Sequence, residues 1–304
     1  MLTEIPLDRF FVSRLCRSLL VSTCVALWAC ATAGTMQPPN ASTSSRSQAA
    51  GRPHVVVLSF DGFGRELYRA RAGQGFRGVS ADGVEAESLT PVFPSKTFAI
   101  HYTMATGLHP GESGIVGNRF YDPARRSWFS AATVQDSAWF GGEPIWVTAE
   151  RQGVRTAVYN WTGSEAAING IRPSDFRVYD PKTADSTKID QVAEWLRRGA
   201  DARPRLIMAY FSGIDEAGHL TGPASKATYE AIDLADAMVR RMRDSIAALP
   251  PELQVDLVIV SDHGMASTDP SRVMDVSAAI DAPGIIVSNK RTTLSLWATT
   301  NAWS

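Results

Sequence analysis

Three nearly continuous apolar runs constrain the fold more than any other feature of the chain. They are His54-Val55-Val56-Val57-Leu58-Ser59-Phe60, Leu206-Ile207-Met208-Ala209-Tyr210-Phe211 and Val255-Asp256-Leu257-Val258-Ile259-Val260. Sustained apolarity rich in β-branched residues marks strands covered on both faces, as parallel sheets require. A weaker fourth run is Arg155-Thr156-Ala157-Val158-Tyr159. Between the second and third runs, Lys226 to Ala247 places Ile232, Ala235, Met238, Val239, Met242 and Ile246 on one face at the helical period. Strands alternating with such helices predict an α/β fold: a doubly wound, mainly parallel sheet with helices on both faces.

Each strong run leads directly into acids and histidines. The first ends in Asp61-Gly62, the second enters "SGIDEAGH" with Asp215 and His219, and the third ends in Asp262-His263-Gly264. Sites in parallel sheets form outside the carboxyl ends of the strands, where residues distant in sequence converge. Singly, each residue has a plain structural explanation: an aspartate after a strand caps a helix or closes a turn, and Gly218 favours a turn over a helix around Asp215 and His219. Together, three aspartates and two histidines at strand ends predict metal binding. Imidazole nitrogen mixed with carboxylate oxygen, without thiolate, suits catalytic zinc, with manganese and iron as alternatives. Five protein ligands exceed the usual three of one catalytic zinc, so two ions are expected.

Within "PVFPSKTFAIHYTMATGLHP", Thr97 stands where a helix should begin. Either Thr97, or Ser95 before it, is a helix cap, or Thr97 is a nucleophile whose hydroxyl a divalent cation activates, with the helix start attracting a phosphate.

The net charge of -1 and the 44% hydrophobic content describe an ordinary globular protein and give no electrostatic hint of a polymeric nucleic acid partner. The first residues differ. Arg9, Arg14 and Arg17 precede an apolar run from Leu19 to Ala29, the outline of a secretory signal over residues 1–33. All three cysteines, Cys16, Cys24 and Cys30, fall inside it. Leu27-Trp28-Ala29-Cys30 resembles a lipoprotein box, and Ala31-Thr32-Ala33 offers a competing release site. The expected location is therefore outside the cytoplasm, periplasmic or lipid-anchored at the cell envelope. Residues 34–52 read as a flexible linker, and 53–304 as one catalytic domain.

Five stretches in this order, "VVLSFDGF", "PVFPSKTFAIHYTMATGLHPGESGIVGN", "NWTGSEAAING", "YFSGIDEAGHLTGP" and "VIVSDHGM", resemble the nucleotide pyrophosphatase/phosphodiesterase family of the alkaline phosphatase superfamily. The resemblance implies an alkaline-phosphatase-like fold and hydrolysis of phosphodiester or pyrophosphate bonds in nucleotides or related small diesters through a phosphothreonine on Thr97. It implies that Asp61, Thr97, Asp262 and His263 hold one zinc, and Asp215 and His219 the other. Asn118 would donate a hydrogen bond to a nonbridging phosphate oxygen. Phe98 and Tyr179 would sandwich a nucleobase, although Phe98 could equally pack inward with Ile100 and Met104. The family's second metal site has a third ligand, a histidine downstream of Asp-His-Gly. No histidine follows His263, and His54, His101 and His109 do not match it. The expectation is a domain incomplete at its C-terminal end, or a shortened variant that completes the site differently. A phosphate monoesterase of the same superfamily is the nearest alternative, but "NWTGSE" stands where those relatives carry a Lys-x-Arg pair. A non-catalytic ligand-binding fold is the third.

Overall fold

The computed structural model describes residues 53–276, 280, 283–290 and 294–298. The expected signal segment, Cys30 and the linker lie outside the described residues.

Five parallel strands form the main sheet: β1 (His54–Phe60), β4 (Thr156–Tyr159), β5 (Asp175–Arg177), β6 (Leu206–Phe211) and β7 (Val255–Val260), in the order β5-β4-β6-β1-β7. Between β1 and β4 a short antiparallel hairpin pairs β2 (Phe120–Asp122) with β3 (Ser127–Phe129). The predicted strand from Gly284 to Ser288 becomes β8 (Ile285–Lys290), which pairs antiparallel with β9 (Leu294–Ala298) in a separate two-stranded sheet.

Alternate residues of the strands feed two cores. Val56, Leu58 and Phe60 join Ile207, Ala209 and Phe211 in one, packed by helices α6 (Asp185–Arg197) and α8 (Lys226–Ala247). Val55 and Val57 face the other, built with Met208, Val158 and the side chains of α3 (Thr97–Thr106) and α5 (Ile145–Arg151), among them Tyr102 and the fully buried Trp146. Helices therefore cover both faces, as a doubly wound sheet requires. Helix α8 occupies the predicted span. Its N-cap Ser225 accepts a hydrogen bond from the Thr228 amide, and Ile232, Ala235, Val239 and Met242 of the predicted face are buried. The weak fourth run is one of the best covered strands, with all four residues of β4 buried between β5 and β6.

The third run departs from expectation. β7 is an edge strand, so only Val255, Leu257 and Ile259 pack on the first core, while Asp256 is exposed and Val258 is 41% exposed. Among the described residues no helix covers that face. The polar Asp256 is the one sequence mark of this one-sided burial.

Register then positions the site. The first six residues of β1 pair with the β7 residues 201 places later, from His54↔Val255 to Ser59↔Val260. Carried two residues past the strands, the same offset sets Asp61 beside Asp262. On the other side Phe60 pairs with Phe211, so the chain leaves β6 next to Asp61 and enters α7 (Gly213–Thr221), which carries Asp215 and His219. The expected turn around Gly218 is thus a helix. Gly218 serves packing there: a Cβ at this position would lie 2.5 Å from the Met265 sulfur.

Candidate metal centre

Asp61, directly after β1, is 1% exposed. Its Oδ2 accepts a 2.5 Å hydrogen bond from the Tyr210 phenol, and its Oδ1 accepts none. Asp262 takes the amides of Gly62 (3.2 Å) and His263 (2.9 Å) on Oδ1, while its Oδ2 accepts no hydrogen bond. Both atoms left over look toward His263, whose Nε2 lies 3.5 Å from Asp61 Oδ1 and 3.2 Å from Asp262 Oδ2. His263 Nδ1 is 3.1 Å from the Gly264 carbonyl, which can only accept, so Nδ1 donates there and Nε2 is the ring nitrogen turned toward the carboxylates. On α7, Asp215 Oδ1 is likewise buried without a hydrogen bond, 3.4 Å from His219 Nε2. One ligand atom each from Asp61, Asp215 and His263 lies within 4.8 Å of the other two, so the two expected ligand groups adjoin one another.

Three carboxylates this close, and this dry, repel each other's charge. Burial first, and the neighbouring Asp262 second, raise the Asp61 carboxyl to about 6; burial and then Asp61 raise Asp215 to about 6. Burial also raises Asp262. Buried polar atoms are normally paired, and buried charges are paired or bind metals. Three orphaned carboxylate oxygens gathered around an imidazole nitrogen therefore fit divalent cations. Their mixed nitrogen and oxygen donors suit zinc.

The loops that bring these groups together touch backbone to backbone. A Cβ on Gly64 would sit 2.5 Å from the Cα of Gly264, and neither loop has a flexible side chain there that could yield. Gly64→Ala must push the Asp61 loop away from the Asp262–His263 loop. Overpacking of this kind costs about 1 to 3 kcal/mol. The expected outcome is a lower melting temperature together with weaker zinc binding, measured by calorimetry and by competition with a chromophoric chelator.

Thr97 is the first residue of α3. Neither cap assignment holds: Lys96 is the N-cap and makes no side-chain capping bond, while the Ser95 hydroxyl turns back to the Val92 carbonyl. His101, for which the sequence suggested no role, fixes this turn. It is buried, with Nδ1 2.8 Å from the Thr97 carbonyl and 3.6 Å from Asp262 Oδ2, and Nε2 2.8 Å from the Ser59 hydroxyl. Burial lowers its pKa to about 4, so it is a neutral strut. Its backbone carbonyl accepts the Trp161 indole N–H at 2.8 Å. Asn118 closes the other side of the turn: its Oδ1 accepts the Phe98 amide at 2.9 Å, which leaves the side-chain NH2 free to donate to a ligand. Phe98 is half-buried and meets Phe129 edge-on at 5.9 Å, so part of the ring packs inward. Tyr179 is 43% exposed; burial first, then the charges of Glu216 on α7 and of Asp185, raise its phenol. Its amide donates to the buried Glu165 at 2.8 Å. A cleft of about 630 Å³ lined by Arg125, Gln135, Asp136 and Trp139 lies at the β2–β3 hairpin, and none of the strand-end residues lines it.

Sequence reasoning missed Tyr210, His101 and Glu165. An i, i+4 spacing from Thr97 was the available signal for His101. Nothing local marks Tyr210, whose partner is 149 residues away.

A doubly wound sheet with an acid-and-histidine cluster at the carboxyl ends of its strands, beside a helix opened by threonine, defines a class of α/β hydrolase with an alkaline-phosphatase-like fold. The chain belongs to the type I phosphodiesterase/nucleotide pyrophosphatase family, whose model matches residues 55–302. It is 34% identical over 217 residues to human ectonucleotide pyrophosphatase/phosphodiesterase family member 1, covering 70% of this chain and 24% of that protein. It is 36% identical over 225 residues to an uncharacterised pyrophosphatase/phosphodiesterase of Schizosaccharomyces pombe, covering 72% of this chain and 46% of the relative. Among solved structures, an inactive variant of murine ectonucleotide pyrophosphatase/phosphodiesterase 5 in complex with AMP superposes with a TM-score of 0.77 at 25% identity, covering 83% of this chain and 68% of that one. The chain thus spans 24% to 46% of the length of the curated relatives named here.

Proposed function

We propose that this chain hydrolyses phosphodiester or pyrophosphate bonds in nucleotides or related small diesters, with Thr97 as nucleophile and a phosphothreonine intermediate. The observation that carries this reading is the set of three buried carboxylate oxygens without hydrogen bonds, on Asp61, Asp215 and Asp262, gathered next to the helix that Thr97 opens. Asp61, Asp262 and His263, with the Thr97 hydroxyl, would hold one divalent ion, and Asp215 with His219 the second, zinc being the best match to these donors. Such ions, when bound, make an alcohol more acidic and neutralise charge building on phosphorus and on the leaving oxygen.

The chain's own groups supply the rest. The Thr97 oxygen forms a bond to phosphorus as the bond to the leaving oxygen breaks; the threonine proton passes to solvent, and the leaving oxygen takes one from it. Water then attacks phosphorus from the vacated side, the P–Oγ bond breaks, and Thr97 regains its proton. Asn118 donates its free NH2 to a nonbridging oxygen, a neutral contact suited to a diester that carries one charge. The first amides of α3 add partial positive charge on the same side. Phe98 and Tyr179 would stack on a base, and stacking of that kind contributes roughly 1 to 3 kcal/mol. The AMP complex of the murine relative accords with such a ligand.

Comparing nitrophenyl thymidine phosphate with nitrophenyl phosphate, with and without zinc, tests the proposal. The diester is expected to be preferred in kcat/KM by about a hundredfold or more, worth about 2.7 kcal/mol, and only with the metal. Preference for the monoester would reassign the chain as a monoesterase. Turnover of neither substrate at verified zinc occupancy would leave only a binding fold.

A further inference from the structure

A second pair of charged groups lies behind the carboxylate cluster. Helix α6 follows β5 in a parallel crossover, so it begins at the sheet edge that carries the site. Its first residue is Asp185, and Lys188 one turn later is 2% exposed. Lys188 Nζ lies 2.8 Å from Asp185 Oδ1 and donates to the Tyr210 carbonyl at 3.4 Å. Asp185 Oδ2 accepts the Gly213 amide at 3.2 Å. Only Phe211 and Ser212 separate these anchor points, so the pair grips both ends of the turn from β6 into α7. Contact is close enough that a Cβ on Gly213 would come within 2.9 Å of the Asp185 carboxylate.

That turn joins the two halves of the metal centre. Tyr210 before it holds Asp61, and α7 after it carries Asp215 and His219. A buried ion pair is a poor source of stability, since apolar residues of similar volume often do as well. What it supplies here is fixed geometry at two backbone groups.

We infer that the Asp185–Lys188 pair is a positioning element of the metal centre, setting the separation between the Asp61 carboxylate and the Asp215–His219 pair. The inference rests on the reading of the cluster as a metal site. The ion at Asp215 and His219 should depend on it more, because His219 is 63% exposed and only two side chains are assigned there, whereas the ion at Asp61 is also assigned Asp262 and His263 from the loop after β7.

Metal-free full-length protein is titrated with zinc against a chromophoric chelator, and with cobalt(II) while its visible spectrum is recorded. Asp185→Ala/Lys188→Met removes both charges and leaves neither buried alone. Ile189→Val, at a buried neighbour on the same helix, loses packing only. Wild type should bind a tighter and a weaker ion. The double variant should keep the tighter ion, hold the weaker one about 10- to 100-fold less firmly and show an altered cobalt spectrum, while Ile189→Val binds as wild type does. Asp185→Asn, which keeps an oxygen for Gly213, tests the same point if the double variant does not fold, with a smaller loss expected. Unchanged zinc affinity in whichever pair variant folds, or a loss no larger than that of Ile189→Val, overturns the inference and leaves the metal reading standing. Wild type that binds no zinc removes both.

Discussion

Replacing Thr97 with alanine is expected to leave a folded, zinc-binding protein without turnover. The substitution removes the group proposed to attack phosphorus, and loss of a nucleophile costs about four orders of magnitude or more in kcat. Folding should hardly notice. Thr97 is half-buried at the first position of α3, where alanine is the better helix former, and the turn stays tied by His101 and Asn118. Zinc content should remain close to wild type, because Asp61, Asp262 and His263 are untouched. Thr97→Ser, which keeps a hydroxyl, should recover part of the rate. Steady-state kinetics on nitrophenyl thymidine phosphate, paired with melting curves and elemental analysis, separates these effects. An alanine variant as active as the parent would take Thr97 out of the chemistry.

Much of this framework could be read from the residues because it depends on local pattern. The β1 and β6 runs and the single face of α8 are periodic signals, and the acids lie within a few residues of the strands that present them. The misreadings share a different origin. Gly218 suggested a turn because glycine weakens helices, yet inside α7 it makes room for Met265. β7 looked covered on both faces because a run of valine and isoleucine does not say which strand stands at the edge. Tyr210, His101 and Lys188 are polar groups buried by tertiary contacts, and their partners Asp61, Ser59 and the Tyr210 carbonyl are 149, 42 and 22 residues distant. Residues expected to meet a substrate stood at strand and helix ends; those that brace them are set by the fold as a whole.

The largest effect on stability should come from removing the metal, and it should depend on pH with a recognisable sign. In metal-free protein Asp61 and Asp215 sit near 6 against an ordinary 3.8, so across that window the folded state holds more protons than the unfolded. Stability must then fall as pH rises from about 4 to 6 and stay reduced above it, by about 3 kcal/mol for Asp61 alone at 1.4 kcal/mol per pKa unit. His101 acts oppositely: neutral when folded until about 4 against an ordinary 6.5, it makes stability rise with pH over that interval. His101 is not assigned to the metal, so the difference between the two forms reports on the groups that are. With zinc bound the charged carboxylates are favoured, the folded state holds fewer protons, and stability climbs with pH instead. Melting temperatures in chelator and in excess zinc, recorded from pH 4.5 to 7.5, should therefore diverge as pH increases. The gap should open by roughly 6 to 12 °C for Asp61 alone, since 1 kcal/mol moves the midpoint about 2 to 4 °C in a domain of this size. Parallel curves would mean that no cation answers the charge on these aspartates, and the proposed chemistry at Thr97 would lose its physical basis.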